Sequence, residues 1–146
     1  MCFIKMKNVT KALLIPLNQF GEILIQDREG FKPPRWGYFG GSVEMGESIK
    51  DALIRETDEE LGIDISREEL LEVGKFIDEI EGKLVTRYVY LLNVDKDNWI
   101  FEVKEGKGAK WVDVDEMVRL IQGASGVVGL KIALGIKKFL TDKFPN

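Results

Sequence analysis

"GGSVEMGESIKDALIRETDEELGI", residues 40–63, is the stretch on which the reading of the whole chain depends. Ser48 stands three residues before Asp51 in capping-box spacing, apolar side chains recur through Leu53, Ile54 and Leu61, and Gly62 offers a left-handed stop. The stretch therefore predicts a helix that starts after Ser48 and runs to Leu61. On that helix Glu56 has Glu59 and Glu60 as its i+3 and i+4 neighbours, which gathers three carboxylates into one patch. Like charges at this spacing cost roughly 0.2–0.5 kcal/mol per pair at an exposed surface. Arg55 can pair with Glu59 at i+4, but one guanidinium does not neutralise three carboxylates, whereas a divalent cation does. Hard cations such as Mg²⁺ take a few carboxylate oxygens together with water and substrate phosphates. At about 100° per residue, Ile54 and Leu61 fall on the side away from Glu56, and Leu53 lies at the border beside Glu60. One face can pack while the other holds charge. An arbitrary Glu-x-x-Glu-Glu is more often just the solvated face of a helix, so spacing alone does not choose between the two readings.

Composition narrows the chemistry. The chain has 146 residues, 45% of them hydrophobic, and no histidine. That length suits one domain spanning residues 1–146 with a core that needs no disulfide or metal staple. The absence of histidine excludes Ser-His and Cys-His nucleophilic catalysis, histidine-ligated zinc and histidine general bases, which leaves carboxylates to carry acid–base or metal chemistry. The acidic bias is local. Residues 41–63 hold seven acidic side chains against Lys50 and Arg55, while the rest of the chain is nearly balanced, with 18 acidic and 19 basic. No basic block marks a dedicated nucleic-acid surface. A lone Cys2 fits a reducing cytoplasm, MCFIKMK is too short and too interrupted by lysine for a signal sequence, and no apolar run approaches the roughly 18 residues of a membrane span. These features predict a cytoplasmic protein free of the membrane and leave open whether it forms a homo-oligomer.

Outward from the helix, Asn8–Leu17 and Glu22–Asp27 read as two strands joined by "NQFG". "REGFKPPRWG", residues 28–37, reads as a loop stiffened by Pro33 and Pro34, with a short strand from Trp36 to Phe39 before the glycine pair. Leu70–Ile80 and Leu84–Val94 predict a second hairpin, Ala109–Val114 a further strand, and "DVDEMVRLIQG" a short helix capped by Asp113 or Asp115. Val127–Leu140 predicts a terminal helix offering Leu130, Ala133, Leu134, Ile136 and Leu140 to the core.

The whole constellation is more specific than its acidic helix. Gly41 is followed at fixed separations by Glu47, Arg55-Glu56, Glu59-Glu60, Gly62 and Ile63. This resembles the box of the Nudix hydrolases, G-x5-E-x7-R-E-U-x-E-E-x-G-U with U a bulky aliphatic residue, departing from it only where Thr57 stands at the first U. The order of elements also resembles the family's α/β/α sandwich, in which a mixed sheet carries a loop-helix-loop catalytic motif. The resemblance implies an enzyme that cleaves a nucleoside diphosphate linked to another group X, by attack of metal-activated water on phosphorus. It implies Mg²⁺ or Mn²⁺ on Glu56, Glu59 and Glu60 and on the carbonyl of Gly41. Glu56 is also the candidate base, and Arg55, Glu47 and Gly62 shape and orient the loop-helix-loop. "EGKGAKW", residues 105–111, is similar to a segment of MutT-type triphosphatases in which a glutamate six residues before tryptophan adds a metal ligand. Glu105 is that candidate, with Glu102 a rival nearby.

For the substrate the resemblance implies a small nucleotide, foremost a nucleoside triphosphate, oxidised or not, cleaved to monophosphate and pyrophosphate. Phe39-Gly40-Gly41 is similar to hydrolases of oxidised purine nucleotides, yet "QGASGVVG" lacks the asparagine that reads oxidised guanine in the MutT type. The lack of a proline between the box and Pro145 counts against an ADP-ribose hydrolase. A hydrolase of another nucleotide, such as a dinucleoside polyphosphate, ADP-ribose or a nucleotide sugar, is the alternative, as is a non-catalytic nucleotide-binding module of the same fold. Trp36, Tyr38 and Phe39 are the candidate substrate contacts, and Phe31 and Tyr88 are further aromatic residues able to stack on a base.

Overall fold

The run from Ala12 to Leu17 is buried on both sides of its strand, as a strand must be when helices cover both faces of its sheet. The structure, a computed structural model, describes residues 6–28, 35–103, 108–124 and 126–144. In chain order the elements are β1 (Lys7–Asn18), β2 (Ile23–Asp27), β3 (Trp36–Gly37), β4 (Phe39–Ser42), α1 (Ile49–Leu61), β5 (Leu71–Ile80), β6 (Lys83–Val94), β7 (Gly108–Val112), α2 (Val114–Ala124) and α3 (Gly126–Lys143).

The sheet is mixed, with the path β3-β2-β1-β6-β5 and with β4 and β7 added to β1 and β2. β1 is its axis. It runs parallel to β6 in register from Lys7↔Lys83 to Asn18↔Val94. Its other edge pairs antiparallel first with β4, from Lys11↔Ser42 to Leu14↔Phe39, and then with β2 at Leu17↔Ile23. Pro16 lies between those two pairings, where a missing N–H interrupts no antiparallel ladder. The β5–β6 hairpin turns through Glu81 and Gly82, both at positive φ, in the two-residue geometry that matches strand twist.

Alternation along β1 divides the core. Ala12 and Leu14 pack with Ala52 and Leu53 of α1. Leu13, Ile15 and Leu17 pack with Met117 and Ile121 of α2 and with Ile132, Ala133 and Ile136 of α3. The result is the α/β/α sandwich expected from the sequence. Asp113 resolves the capping of α2, since its carboxylate accepts from the Glu116 N–H at 2.8 Å. The core list for the terminal helix needs correction. Leu134 is half exposed, and Ile132 takes its place, because the buried stripe follows residues 129, 132, 133, 136 at the helical period. No helix among the described residues is long and apolar enough to cross a membrane.

Candidate functional site

α1 begins and ends where its local chemistry places it. The Ser48 hydroxyl accepts from the Asp51 N–H at 3.0 Å, and Gly62, at φ 70°, donates its N–H to the Asp58 carbonyl. Its buried residues are Ala52, Leu53, Thr57, Glu60 and Leu61. Thr57 is 1% exposed, so the position that departs from the aliphatic pattern is still a packing position. Glu60 differs from the surface patch expected of it. It is 3% exposed, and its Oε1 accepts from the Gly40 N–H at 2.7 Å, which ties the helix to β4. A backbone N–H bonded to a charged acceptor contributes roughly 1.5–3 kcal/mol, so this carboxylate stitches helix to sheet.

Arg55 organises the remaining acids. Its Nε donates to Glu47 Oε2 at 2.8 Å and its Nη2 to Glu47 Oε1 at 2.9 Å, a two-pronged pair. Nη1 donates to Glu56 Oε1 at 2.9 Å and reaches Glu59 Oε2 at 3.4 Å and Glu44 Oε1 at 3.8 Å, while Nη2 also donates to the Ser42 carbonyl. One guanidinium thus faces four carboxylates. Its hydrogen bonds hold the Glu47 carboxyl down at about 2, and the same contact, with Glu56 behind it, pushes the guanidinium up.

Gly41 lets this cluster meet the sheet. A Cβ there would stand 2.4 Å from Glu56 Oε1 and 2.8 Å from Oε2, so the Glu56 carboxylate lies directly over the glycine backbone. Gly40 is needed for a different reason. Its φ is +128°, and a Cβ would stand 2.0 Å from the Ala12 carbonyl oxygen of β1. The structure therefore brings Gly41, Glu47, Arg55, Glu56 and Glu59 together and places Glu60 one layer deeper. Among the described residues no three acidic, histidine or cysteine side chains converge as a ready cation cage. The donors present are nonetheless all oxygen, and four of the described carboxylates meet at one guanidinium, which fits a hard cation that shares its shell with water and phosphate rather than an enclosed protein site.

Glu105 lies outside the described residues, as does Phe31. Glu102, the rival, is exposed, and its backbone N–H donates to the Leu61 carbonyl, which fixes the segment leading toward 105 at the end of α1. Trp36 is half-buried with Lys110 Nζ 4.9 Å from its ring centroid. Tyr38 is buried and donates its hydroxyl to the Gly129 carbonyl at 3.0 Å. Phe39 is fully buried in a cluster with Leu24 and Leu61 and presents no face to a ligand. The strand alternation that sends Tyr38 to the α2/α3 side sends Phe39 beneath α1.

The sequence reading passed over three cations. Lys11, Arg28 and Arg87 line a cavity of about 100 Å³ that also touches Gly40 and Gly41. The signal for Lys11 was a charge opening the apolar run of β1. Its significance comes from register, since Lys11 is the pairing partner of Arg87.

With this geometry in hand, the family model of the NUDIX domain matches residues 7–128. The chain belongs to the Nudix family. This Nudix chain is 37% identical over 111 residues to the 8-oxo-dGTP diphosphatase of Haemophilus influenzae, covering 73% of this chain and 77% of that protein. It is 27% identical over 128 residues to an oxidized purine nucleoside triphosphate hydrolase of Danio rerio, covering 87% and 81%. Among solved structures it resembles the E. coli ORF135 protein, with TM-score 0.77 at 22% identity over 96% of this chain and 95% of that one. It also resembles the MutT protein of Methanosarcina mazei Go1, with TM-score 0.73 at 20% identity over 97% and 99%. Likeness at these identities speaks to the fold. The chain is a Nudix pyrophosphohydrolase, a member of a family that uses divalent metal and acts on small nucleotides.

Proposed function

We propose that this Nudix enzyme hydrolyses a nucleoside triphosphate, oxidised or not, to the monophosphate and pyrophosphate with Mg²⁺ or Mn²⁺, acting as one domain in the cytoplasm. The observation that carries the reading is the cluster of four carboxylates on one arginine, set against the glycine where the Glu56 carboxylate rests. The names of the Haemophilus and Danio relatives support the choice of a triphosphate. Glu56, Glu59, Glu60 and the Gly41 carbonyl would hold the cation, with Glu105, which lies outside the described residues, as a further candidate ligand. When bound, the cation supplies charge neutralisation of the diphosphate oxygens.

Glu56 accepts a proton from the attacking water as the water oxygen bonds to phosphorus and the anhydride P–O bond breaks. Arg55 orients Glu56 and Glu59 for this work and is kept in place by Glu47 and the Ser42 carbonyl. Glu60 anchors α1 to Gly40, so any part it takes in metal binding is shared with that structural bond. Because Glu56 acts as a carboxylate and the water attacks best as hydroxide, turnover rises from acid toward alkaline pH.

The test is a panel of nucleoside triphosphates, oxidised nucleotides, dinucleoside polyphosphates and nucleotide sugars with Mg²⁺, products being separated by chromatography. Pyrophosphate and monophosphate from a triphosphate, lost on adding excess chelator, support the reading. Undiminished turnover in chelator contradicts it.

A further inference from the structure

β5 (Leu71–Ile80) closes one end of the sheet. Among the described residues it pairs with β6 alone, so its outer edge carries unpaired N–H and C=O groups. Such edges are commonly blunted by charge or by a bulge. β5 has both, in an arrangement that is symmetrical. Its register shift lies between Glu72 and Gly74, and from Gly74 to Ile80 the ladder is regular. Ile77 is the midpoint of that segment. Lys75, Ile77 and Glu79 stand exposed on one face of it. Neither Lys75 nor Glu79 forms an ion pair among the described residues.

On the other face α3 rests on the first half of β5. Leu71, Val73 and Phe76 pack against its cluster, and the Phe76 ring lies so close to Gly135 that a Cβ there would stand 2.6 Å from it. Beyond Ile77 the strand and its turn carry Asp78, Glu79 and Glu81. The flank of α3 either side of Gly135 carries Lys131 and Lys138, both exposed.

We propose that this edge is where a second copy of the chain docks, β5 against β5, antiparallel about a twofold axis at Ile77. In that register Ile77 faces its own mate, Lys75 faces the partner's Glu79, and Gly74 faces the partner's Ile80. Both charges of the exposed face are thus matched, twice over by symmetry. Ile80, itself exposed, gains the Phe76 ring that covers Gly74, a Cβ there standing 3.5 Å from the ring. Neighbouring registers lose this. A slip of two residues toward the turn sets Asp78 against its own mate, and the opposite slip sets Lys75 against Ile77. The twofold also carries the two α3 helices to opposite ends of the joined edge, each toward the acidic half of the other strand, where Lys131 and Lys138 complement it. β1 and β6 separate β5 from β4, so the α1 carboxylates stay outside the interface and the inference does not rest on the hydrolytic reading.

Sedimentation velocity of the full chain over a concentration series, without nucleotide or metal, reads the association. Wild type passes from monomer to dimer as concentration rises. Lys75→Glu and Glu79→Lys each turn two attractive pairs into two repulsive ones and weaken the dimer by at least about 10-fold. An equimolar mixture of the two variants makes every facing pair opposite in charge again and restores wild-type association, which also shows that both variants fold. Amide hydrogen exchange slows on dimerisation within Gly74–Ile80 and not in β2. A wild type that stays monomeric up to about 100 µM overturns the inference. So does a dimer equally stable in both single variants, or a mixture that associates no better than its components.

Discussion

Two charged regions meet at Gly40 and Gly41, and they are unbalanced in opposite senses. On the α1 side one arginine faces four carboxylates, with Glu60 bonded to the Gly40 N–H close by. On the α3 side Lys11, Arg28 and Arg87 line a cavity with no acid among its described lining residues, and Arg87 also pairs with Asp78. Neither excess makes sense as stabilisation of the free protein, because like charges close together cost energy even at a surface. On the proposed reading a divalent cation relieves the first. The glycine pair lets both reach the same point: Gly41 admits the Glu56 carboxylate, and Gly40 brings β4 against β1.

Removing the arginine is expected to have the largest effect. Arg55→Gln leaves Glu44, Glu47, Glu56 and Glu59 without their shared partner, and kcat with saturating Mg²⁺ should fall by about 100-fold, the scale for groups that orient metal-binding side chains. Activity within about threefold of wild type would show that the acids orient themselves.

The two glycines separate stability from function. Gly40→Ala puts a Cβ onto backbone at a positive φ, and thermal or denaturant unfolding should show a loss of at least about 3 kcal/mol. Gly41→Ala meets only the flexible end of Glu56, so stability should change by less than about 1 kcal/mol while kcat falls by about 10-fold. If Gly41→Ala kept full activity, the position of Glu56 over that glycine would be of no consequence.

A smaller effect is readable in acid. The folded Glu47 carboxyl sits at about 2, below its ordinary value of 4.5, because Arg55 donates to it. A depressed carboxyl contributes stability that is complete above the unfolded value and is lost as pH falls from about 4.5 through about 2. Over that window the Tm of wild type should fall more steeply than that of Glu47→Gln. Parallel curves would mean that the Arg55–Glu47 pair does not survive in solution. Smallest of all, Ser48→Ala removes the cap of α1 and should cost about 1 kcal/mol, measured by denaturant unfolding.

What could be read from the sequence was whatever short-range chemistry encodes. The ends of α1 follow from Ser48 and Gly62, the β5–β6 turn from the DEIEGK stretch, and the pairing of Arg55 with Glu59 from i+4 spacing, whereas the place of Glu47 beside Arg55 came only from the resemblance to the Nudix box. The depth of Glu60 is not legible in the sequence, because rotation about a helix axis tells which residues are neighbours and not how deep the sheet lies beside them. Its burial depends on the Gly40 N–H, twenty residues away. Leu134 was misplaced for a related reason, since a helix with apolar residues on several sides leaves the choice of face to its partner. The cationic cavity was invisible because Lys11, Arg28 and Arg87 are scattered, and the parallel pairing that joins two of them crosses 76 residues with no local signature.

The central claim, that the acidic excess on α1 exists for catalysis rather than for solubility, is tested most directly by kcat of Glu56→Gln beside Asp58→Asn, each with saturating Mg²⁺ and the nucleotide that the panel identifies. Glu56→Gln keeps the shape and relieves repulsion, so the metal-free protein should melt within about 1 kcal/mol of wild type. Its kcat should nevertheless fall by at least about 100-fold, while Asp58→Asn, at an exposed position of the same helix, should change neither quantity. Near-wild-type kcat in a folded Glu56→Gln protein would contradict the account.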